Sequence, residues 1–249
     1  MKLRISCACD IGCLRDNNED IAAVGQTLTR DGSLTAEKEV EEDGTFCLLV
    51  SDGMGGHESG EYASRYTLEA LLAFLTSASA EITDPPSGLK AKIKEISLSL
   101  NREAFERRQR KAMGCTLSGI VWMKGMALLV NAGDSRTYLF RDGKLRQLTS
   151  DETIHERDMV PLPAGKALYN CIGAFCDTKA CIHDISGLLQ ASDRILVCSD
   201  GLTDMLEDSR IAEILTVGSP EESCHALVNA AKRSGGIDNV TVIVADILM

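Results

Sequence analysis

The chain has 249 residues, 44% of them hydrophobic and 25% charged, which suits one large domain with a buried core and excludes a disordered, collagenous or coiled-coil chain. Its 37 acidic residues outnumber 26 basic ones, a net charge of −11, so neither nucleic acid nor an anionic membrane is an expected partner. No apolar run approaches the ~20 residues of a membrane helix, and the opening MKLRISCACD lacks the apolar stretch of a leader, so a cytoplasmic protein without a signal peptide is expected.

In chain order, the first segment to read is TRDGSLTAEKEVEEDGT (29–45), a polar excursion between two strands. FCLLVSDG (46–53) follows as an apolar strand ending in turn residues. A helix is predicted after Ser59, because Leu68, Leu71, Leu72 and Leu75 fall on one face. A second is predicted from near Ser87, after Pro85-Pro86, with Leu89, Ile93, Ile96 and Leu100 in one stripe. Its basic end (Arg102, Arg107, Arg108, Arg110, Lys111) reads as a solvated face. LSGIVWM (117–123) and MALLVNAGDS (126–135) form a hairpin turning at Lys124-Gly125, and RTYLFRDGKLRQLT forms another turning at Asp142-Gly143. RILVCSDG (194–201) is a further strand. The last helix begins at Ser219, with Pro220 first, Glu222 completing a capping box and Gly235-Gly236 as the stop. NVTVIVADI (239–247) closes the chain as a strand. Hairpins imply antiparallel sheets, so the reading is a strand-rich α+β domain with helices outside the sheets and no repeat or linker.

The ten cysteines contain no C-x-x-C pair, so a tetrahedral zinc site is not expected. Reduced thiols fit the expected compartment. Cys47 and Cys198 lie in apolar runs and act as small hydrophobes. The even spacing of Cys171, Cys176 and Cys181 stands out, with metal or redox use as the alternative.

The chemistry lies at the strand ends. Val50-Ser51-Asp52-Gly53 and Cys198-Ser199-Asp200-Gly201 are near copies, Asn131-Ala132-Gly133-Asp134 ends a third strand, and Glu19-Asp20 and Asp238-Asn239 precede two others. A single such aspartate is ordinarily a turn former. Five sites bordering buried strands are costly unless paired or holding cations. Oxygen donors without His or Cys select Mg²⁺ or Mn²⁺ over Zn²⁺. The three glycines of Asp52-Gly53-Met54-Gly55-Gly56 permit backbone conformations in which a carbonyl turns toward a metal.

Six segments in order, DIGCLRDNNED (10–20), VSDGMGGHESGEYAS (50–64), GCT (114–116), NAGDSR (131–136), CSDGLTD (198–204) and GGIDNVTVIV (235–244), resemble the PPM, or type 2C, metal-dependent serine/threonine protein phosphatases, the bacterial branch above all. The resemblance covers nearly the whole chain and implies one domain over 1–249. It implies a four-layer α-β-β-α sandwich of two mainly antiparallel sheets flanked by helices, with the metal site at one end. It implies two divalent cations, Mn²⁺ or Mg²⁺, with Asp52 bridging them, Gly53 giving its carbonyl to one, and Asp200 and Asp238 completing the other. Glu19 and Asp20 match acids that act largely through metal-bound water, Asp134 a ligand of a third cation, and Arg15 the arginine that grips substrate phosphate. The implied reaction is hydrolysis of phosphoserine and phosphothreonine by direct attack of a metal-bridging hydroxide. Phosphorylated proteins are then the substrates, a bacterial-type serine/threonine kinase the opposing enzyme, and a monomer the expected state.

His57 stands three residues beyond Met54, where some relatives place a histidine directly after Asp-Gly; it is a candidate proton donor or water-positioning group, or else a structural hydrogen bond at the helix start. His155, His183 and His225 read as structural or exposed. The flap-like segment around 150–175 departs from the family, with Pro161 and Pro163 close together, an abbreviated length and Thr153 in place of the usual serine. Two other readings remain open: a regulatory binding module that has lost its chemistry, and a phosphoesterase for small molecules.

Overall fold

Apolar side chains alternating along each central strand feed two different cores, and that alternation sets the layering. In the computed structural model, residues 1–56, 58–77, 82–107, 113–161 and 166–248 are described. One six-stranded sheet runs in the order Lys144–Gln147 (β11), Arg136–Arg141 (β10), Arg194–Cys198 (β14), Val240–Leu248 (β15), Lys2–Asp10 (β1) and Gly32–Glu39 (β4). The other six-stranded sheet runs Cys181–Asp184 (β13), Met126–Ala132 (β9), Leu117–Met123 (β8), Thr45–Ser51 (β5), Ile21–Val24 (β2) and Thr27–Thr29 (β3). A small sheet of three joins Ile172–Gly173 (β12), Gly114–Cys115 (β7) and Gly53–Met54 (β6). The pairings are antiparallel throughout the described residues.

On β5, Phe46, Leu48 and Val50 point into the core between the sheets, while Cys47 and Leu49 point to the helices Glu58–Ser77 (α1) and Pro85–Glu106 (α2). On β15, Ile243, Ala245 and Ile247 face the inter-sheet core, and Val240, Val242 and Val244 face Asp208–Leu215 (α5) and Pro220–Arg233 (α6). The result is the expected four-layer α-β-β-α sandwich. Each fully buried Leu, Ile or Val contributes about 1.5–3 kcal/mol, so the two-sided burial of these strands dominates the stability of the fold.

Leu68, Leu71, Leu72 and Leu75 of α1 and Leu89, Ile93, Ile96 and Leu100 of α2 are all buried, as their spacing requires. Helix α2 starts at Pro85 rather than near Ser87: the two prolines form its first turn, where no amide donor is needed, and the Asp84 side chain caps it. Helix α6 begins with the expected Ser219–Glu222 capping box. The hairpin turns at Lys124-Gly125 and Asp142-Gly143 both hold two consecutive left-handed residues (φ 50° and 73° in each), the type I′ arrangement that matches strand twist.

Several elements were not read from the sequence, among them β1, β4, β13 and α5. The polar stretch 29–45 contains β4, an edge strand paired with β1 from Lys2↔Glu39 to Cys9↔Gly32. As an edge it exposes most of its side chains and needs no apolar run, and its Lys and Glu residues suit a strand end of sheet that must not recruit further strands.

The registers bring the acidic tips to one end. Asp10 at the end of β1 pairs with Val240 at the start of β15, whose Val242 pairs with Cys198 at the end of β14. In the other sheet Ile21 at the start of β2 pairs with Ser51 at the end of β5, and Leu117 at the start of β8 pairs with Ala132 at the end of β9. The residues just beyond these positions are Asp238, Asp200, Asp20, Asp52 and Asp134.

Candidate metal centre

A cleft of ≈ 360 Å³ opens at this end, lined by Arg15, Glu19, Asp52, Gly53, Asp134, Asp200 and Asp238, with Thr116, Lys166 and Asn239 among the other walls. Asp20 sits behind it, 1% exposed. Among the described residues, three other clefts of 260–440 Å³ lack such a convergence of carboxylates.

Asp52 lies between β5 and β6. Its amide donates to Thr116 Oγ1 at 3.0 Å and its carbonyl accepts from the Thr116 amide at 2.8 Å, so the loop entering β8 clamps its backbone. Thr116 is in turn fixed by Ser135, whose hydroxyl lies 2.6 Å from its own. Asp200 opens a short helix, Asp200–Thr203 (α4), and the preceding Ser199 hydroxyl donates to Asp20 Oδ2 at 2.7 Å, tying the two acids to one frame. Asp238 accepts from Arg15 Nη2 at 2.6 Å, and its other oxygen accepts from the Asn239 amide at 2.8 Å.

The glycines after two of these aspartates are required by space. A Cβ on Gly53 would stand 2.2 Å from the Gly60 carbonyl oxygen of α1, and one on Gly201 only 1.9 Å from the Asn239 carbonyl oxygen. Neither has positive φ, so the conformational freedom expected of Gly53 is not what fixes it; Gly55 and Gly56, at φ 124° and 85°, do use that freedom.

The electrostatics are those of acids crowded away from water. Burial pushes the Asp52 carboxyl well above the ordinary carboxylate range, reinforced by Asp20, Asp200, Asp134 and Asp238. Burial does the same to Asp200, with Asp134, Asp204, Asp238 and Asp20 adding to it. Asp20 is raised by burial to about 6 despite the hydrogen bonds from Ser199 and Thr241. Asp134 is raised by burial and by Asp151 to about 7. Asp200 Oδ1 is buried with no hydrogen-bond partner. An orphaned carboxylate oxygen among mutually repelling acids is what a cation would satisfy, and an all-oxygen donor set fits Mg²⁺ or Mn²⁺. Among the described residues, no trio of His, Cys, Asp and Glu side chains is drawn into a single coordination sphere; the acids ring the cleft, with Asp238 turned toward Arg15.

Of the residues singled out from sequence, Arg15, Glu19, Asp52, Gly53, Asp134, Asp200 and Asp238 share the cleft, with Asp20 buried behind them. His57 lies outside the described residues, as do Pro163 and three members of the basic run, Arg108, Arg110 and Lys111. Among its described residues the flap contributes a helical turn, Ile154–Asp158 (α3), capped by the Thr153 hydroxyl, and Lys166, which is paired with Asp204. Sequence reading gave no role to Asn239. Buried and 5% exposed, it accepts from the Glu19 amide at 2.8 Å and donates to the carbonyls of Ile11 (3.0 Å) and Asn17 (2.9 Å). It thereby holds the loop that carries Arg15 and Glu19 against β15. Its position beside Asp238, before a strand, was the available signal.

Two antiparallel sheets between helical layers, with acids pooled at one end, are the architecture of a metal-dependent phosphatase fold. The chain belongs to the protein phosphatase 2C family, whose pattern it matches over residues 27–230. It is 33% identical to the serine/threonine protein phosphatase PstP of Mycobacterium tuberculosis over 99% of its own length, spanning 45% of that relative. It is 28% identical to the serine/threonine phosphatase stp of Listeria welshimeri, covering 95% of this chain and 93% of that one. The crystal structure of the PstP catalytic domain in complex with two manganese ions superposes with a TM-score of 0.77 at 29% identity, covering 100% of both chains.

Proposed function

We propose that this chain is a single phosphatase domain that hydrolyses phosphoserine and phosphothreonine in proteins, using two divalent cations held by Asp52, Asp200, Asp238 and the Gly53 carbonyl. The observation that carries the reading is the pooling of these acids in one cleft with Asp200 Oδ1 buried and unsatisfied. The cations, when bound, supply Lewis-acid charge for the phosphoryl oxygens and an activated water for direct attack on phosphorus. In this reading Asp134 serves a third cation, and Glu19 and Asp20 act on the metals through water.

Arg15 binds and orients the phosphate. Its bond to Asp238 joins side chains that are 50% and 30% exposed, and such pairs are worth only about 0–1 kcal/mol, so exchange for a dianionic ester costs little. Asn239 and Thr116 hold the backbones of Glu19 and Asp52 in place, which limits reorganisation when substrate arrives. Substrates that are proteins rather than small esters are supported by the relatives, which are named serine/threonine phosphatases. A kinase of bacterial type is then the opposing enzyme, and the cytoplasm its setting; no helix among the described residues is long and apolar enough to cross a membrane.

The test is hydrolysis of p-nitrophenyl phosphate and of a phosphothreonine peptide by the intact chain with Mn²⁺, with EDTA, and as Asp200→Asn. Turnover that needs Mn²⁺ and is lost in the variant is expected. Equal turnover in all three conditions overturns the reading.

A further inference from the structure

The mechanism leaves the cysteines unused, and two of them meet. Cys171 Sγ and Cys176 Sγ lie 3.1 Å apart, Cys171 immediately before β12 and Cys176 beyond the turn that follows it. Cys171 is buried at 1% exposure, whereas Cys176 is half-buried beside Phe175, which is 60% exposed. The turn between them is unusual: Gly173, Ala174 and Phe175 are successively left-handed, at φ 79°, 49° and 59°. A left-handed conformation costs a residue with a side chain on the order of 1 kcal/mol or more, so two in succession must be held by their surroundings. Three hydrogen bonds do so: the Ala174 amide to the Met113 carbonyl (2.7 Å), the Phe175 amide to Asn101 Oδ1 (2.8 Å) and the Cys176 amide to the Gly173 carbonyl (2.9 Å). The fold thus spends backbone strain to curl the chain so that the two sulfurs touch.

We infer that Cys171 and Cys176 are a modification site, closing to a reversible intrachain disulfide when a hydroperoxide oxidises the accessible Cys176. The sulfurs need approach by only about 1 Å to reach the ~2.05 Å bond length. An accessible thiol beside a sheltered partner is the arrangement of peroxide-sensing pairs. Burial pushes the Cys171 thiol far up, which keeps it protonated and makes Cys176 the first to react. With hydrogen peroxide, the Cys176 sulfur attacks the O–O bond: an S–O bond forms, the O–O bond breaks, and the leaving oxygen departs as water. The Cys171 sulfur then attacks the resulting sulfenic sulfur: the S–S bond forms, the S–O bond breaks, and the hydroxide leaves as a second water with the Cys171 proton. Two thiols are oxidised by two electrons and the peroxide is reduced by two; a dithiol restores the pair.

The site sits beside the cleft without belonging to its donor set. Residue 170, just before Cys171, is Asn170, whose amide donates to Glu152 Oε2 at 2.6 Å, and the same oxygen accepts from the Gly133 amide next to Asp134 at 2.8 Å. Strand β12 pairs with β7, and β7 with β6, which carries Gly53. The disulfide would lock the turn at the C-terminal end of the flap, next to these contacts.

The test treats the intact chain with hydrogen peroxide, alkylates the remaining thiols and digests it without reduction. The peptide containing residues 171–176 is expected to lose two hydrogens, escape alkylation at both cysteines, and regain both thiols with dithiothreitol. In Cys176→Ser that loss disappears and Cys171 stays a free thiol. In Cys171→Ser, Cys176 accumulates as a sulfenic acid that dimedone traps. The buried Cys171 position can compromise folding of its variant, so Cys176→Ser, checked by a thermal melt matching the parent, carries the test alone if needed. Full alkylation of both cysteines after the exposed Cys13 and Cys181 have oxidised, or a Cys176–Cys181 bond in place of Cys171–Cys176, overturns the inference.

Discussion

Arg15 Nη2 donates to Asp238 Oδ2 over 2.6 Å, across the gap between the loop that follows β1 and the segment that leads into β15. The pair joins a cation suited to phosphate with an acid suited to metal. Each group occupies the other, and divalent cations together with a phosphate ester would separate them into the two roles.

Arg15→Ala is accordingly expected to lower kcat/KM for a phosphothreonine peptide by roughly 10–100-fold, the scale of one lost charge-assisted contact of about 1.4–3 kcal/mol. The loss should fall on KM more than on kcat, and Mn²⁺ affinity should hold or rise because Asp238 is released. Steady-state kinetics with Mn²⁺ titration measures both.

Asn239→Ala should destabilise the fold by about 2–4 kcal/mol, since it removes one acceptor and two donors from a buried position and strands the Glu19 amide and the Ile11 and Asn17 carbonyls. A urea melt with unchanged m-value reads the loss directly.

Gly201→Ala drives a methyl group to within 1.9 Å of the Asn239 carbonyl oxygen, against backbone that cannot swing aside. Overpacking of that kind costs about 1–3 kcal/mol or more, and here it also displaces Asp200. Lower thermal stability together with weakened Mn²⁺ binding is expected.

The acidic cluster gives the metal-free protein a pH dependence of definite sign. Asp20 and Asp134 are raised from 3.8 to about 6 and about 7, so between those limits the folded chain binds more protons than the unfolded one. Stability then falls as pH rises through that window, and Asp52 and Asp200, raised in the same direction, add to the fall. Mn²⁺ competes with those protons, so its stabilisation should grow from pH 4.5 to 7.5, reaching on the order of 5–10 °C in Tm at saturating metal. Calorimetric melts with and without Mn²⁺ across that range check it.

Strands β5, β8, β9, β10, β14 and β15, both I′ hairpins and the capping box of α6 were legible because each rests on local chemistry: apolar runs, Asp-Gly or Lys-Gly turns, and Ser219 with Glu222. Strand β4 was not, because GSLTAEKE owes its conformation to pairing with β1, and an edge position imposes no apolar pattern on it. In the site, the acids were legible as repeated strand-end aspartates. The reason for Gly53 was not, since what excludes a side chain there is the carbonyl of Gly60 on α1, a contact created by the fold. Asn239 escaped for the same reason: its three partners lie on the loop after β1, far away in sequence.

Anomalous diffraction at the manganese edge, from crystals of this chain grown with Mn²⁺, reads the cation sites directly. Two peaks are expected in the cleft, with Asp52 touching both and Asp200 and Asp238 on one of them. A cleft without anomalous density, or manganese bound only at surface carboxylates away from Asp52, would contradict that arrangement.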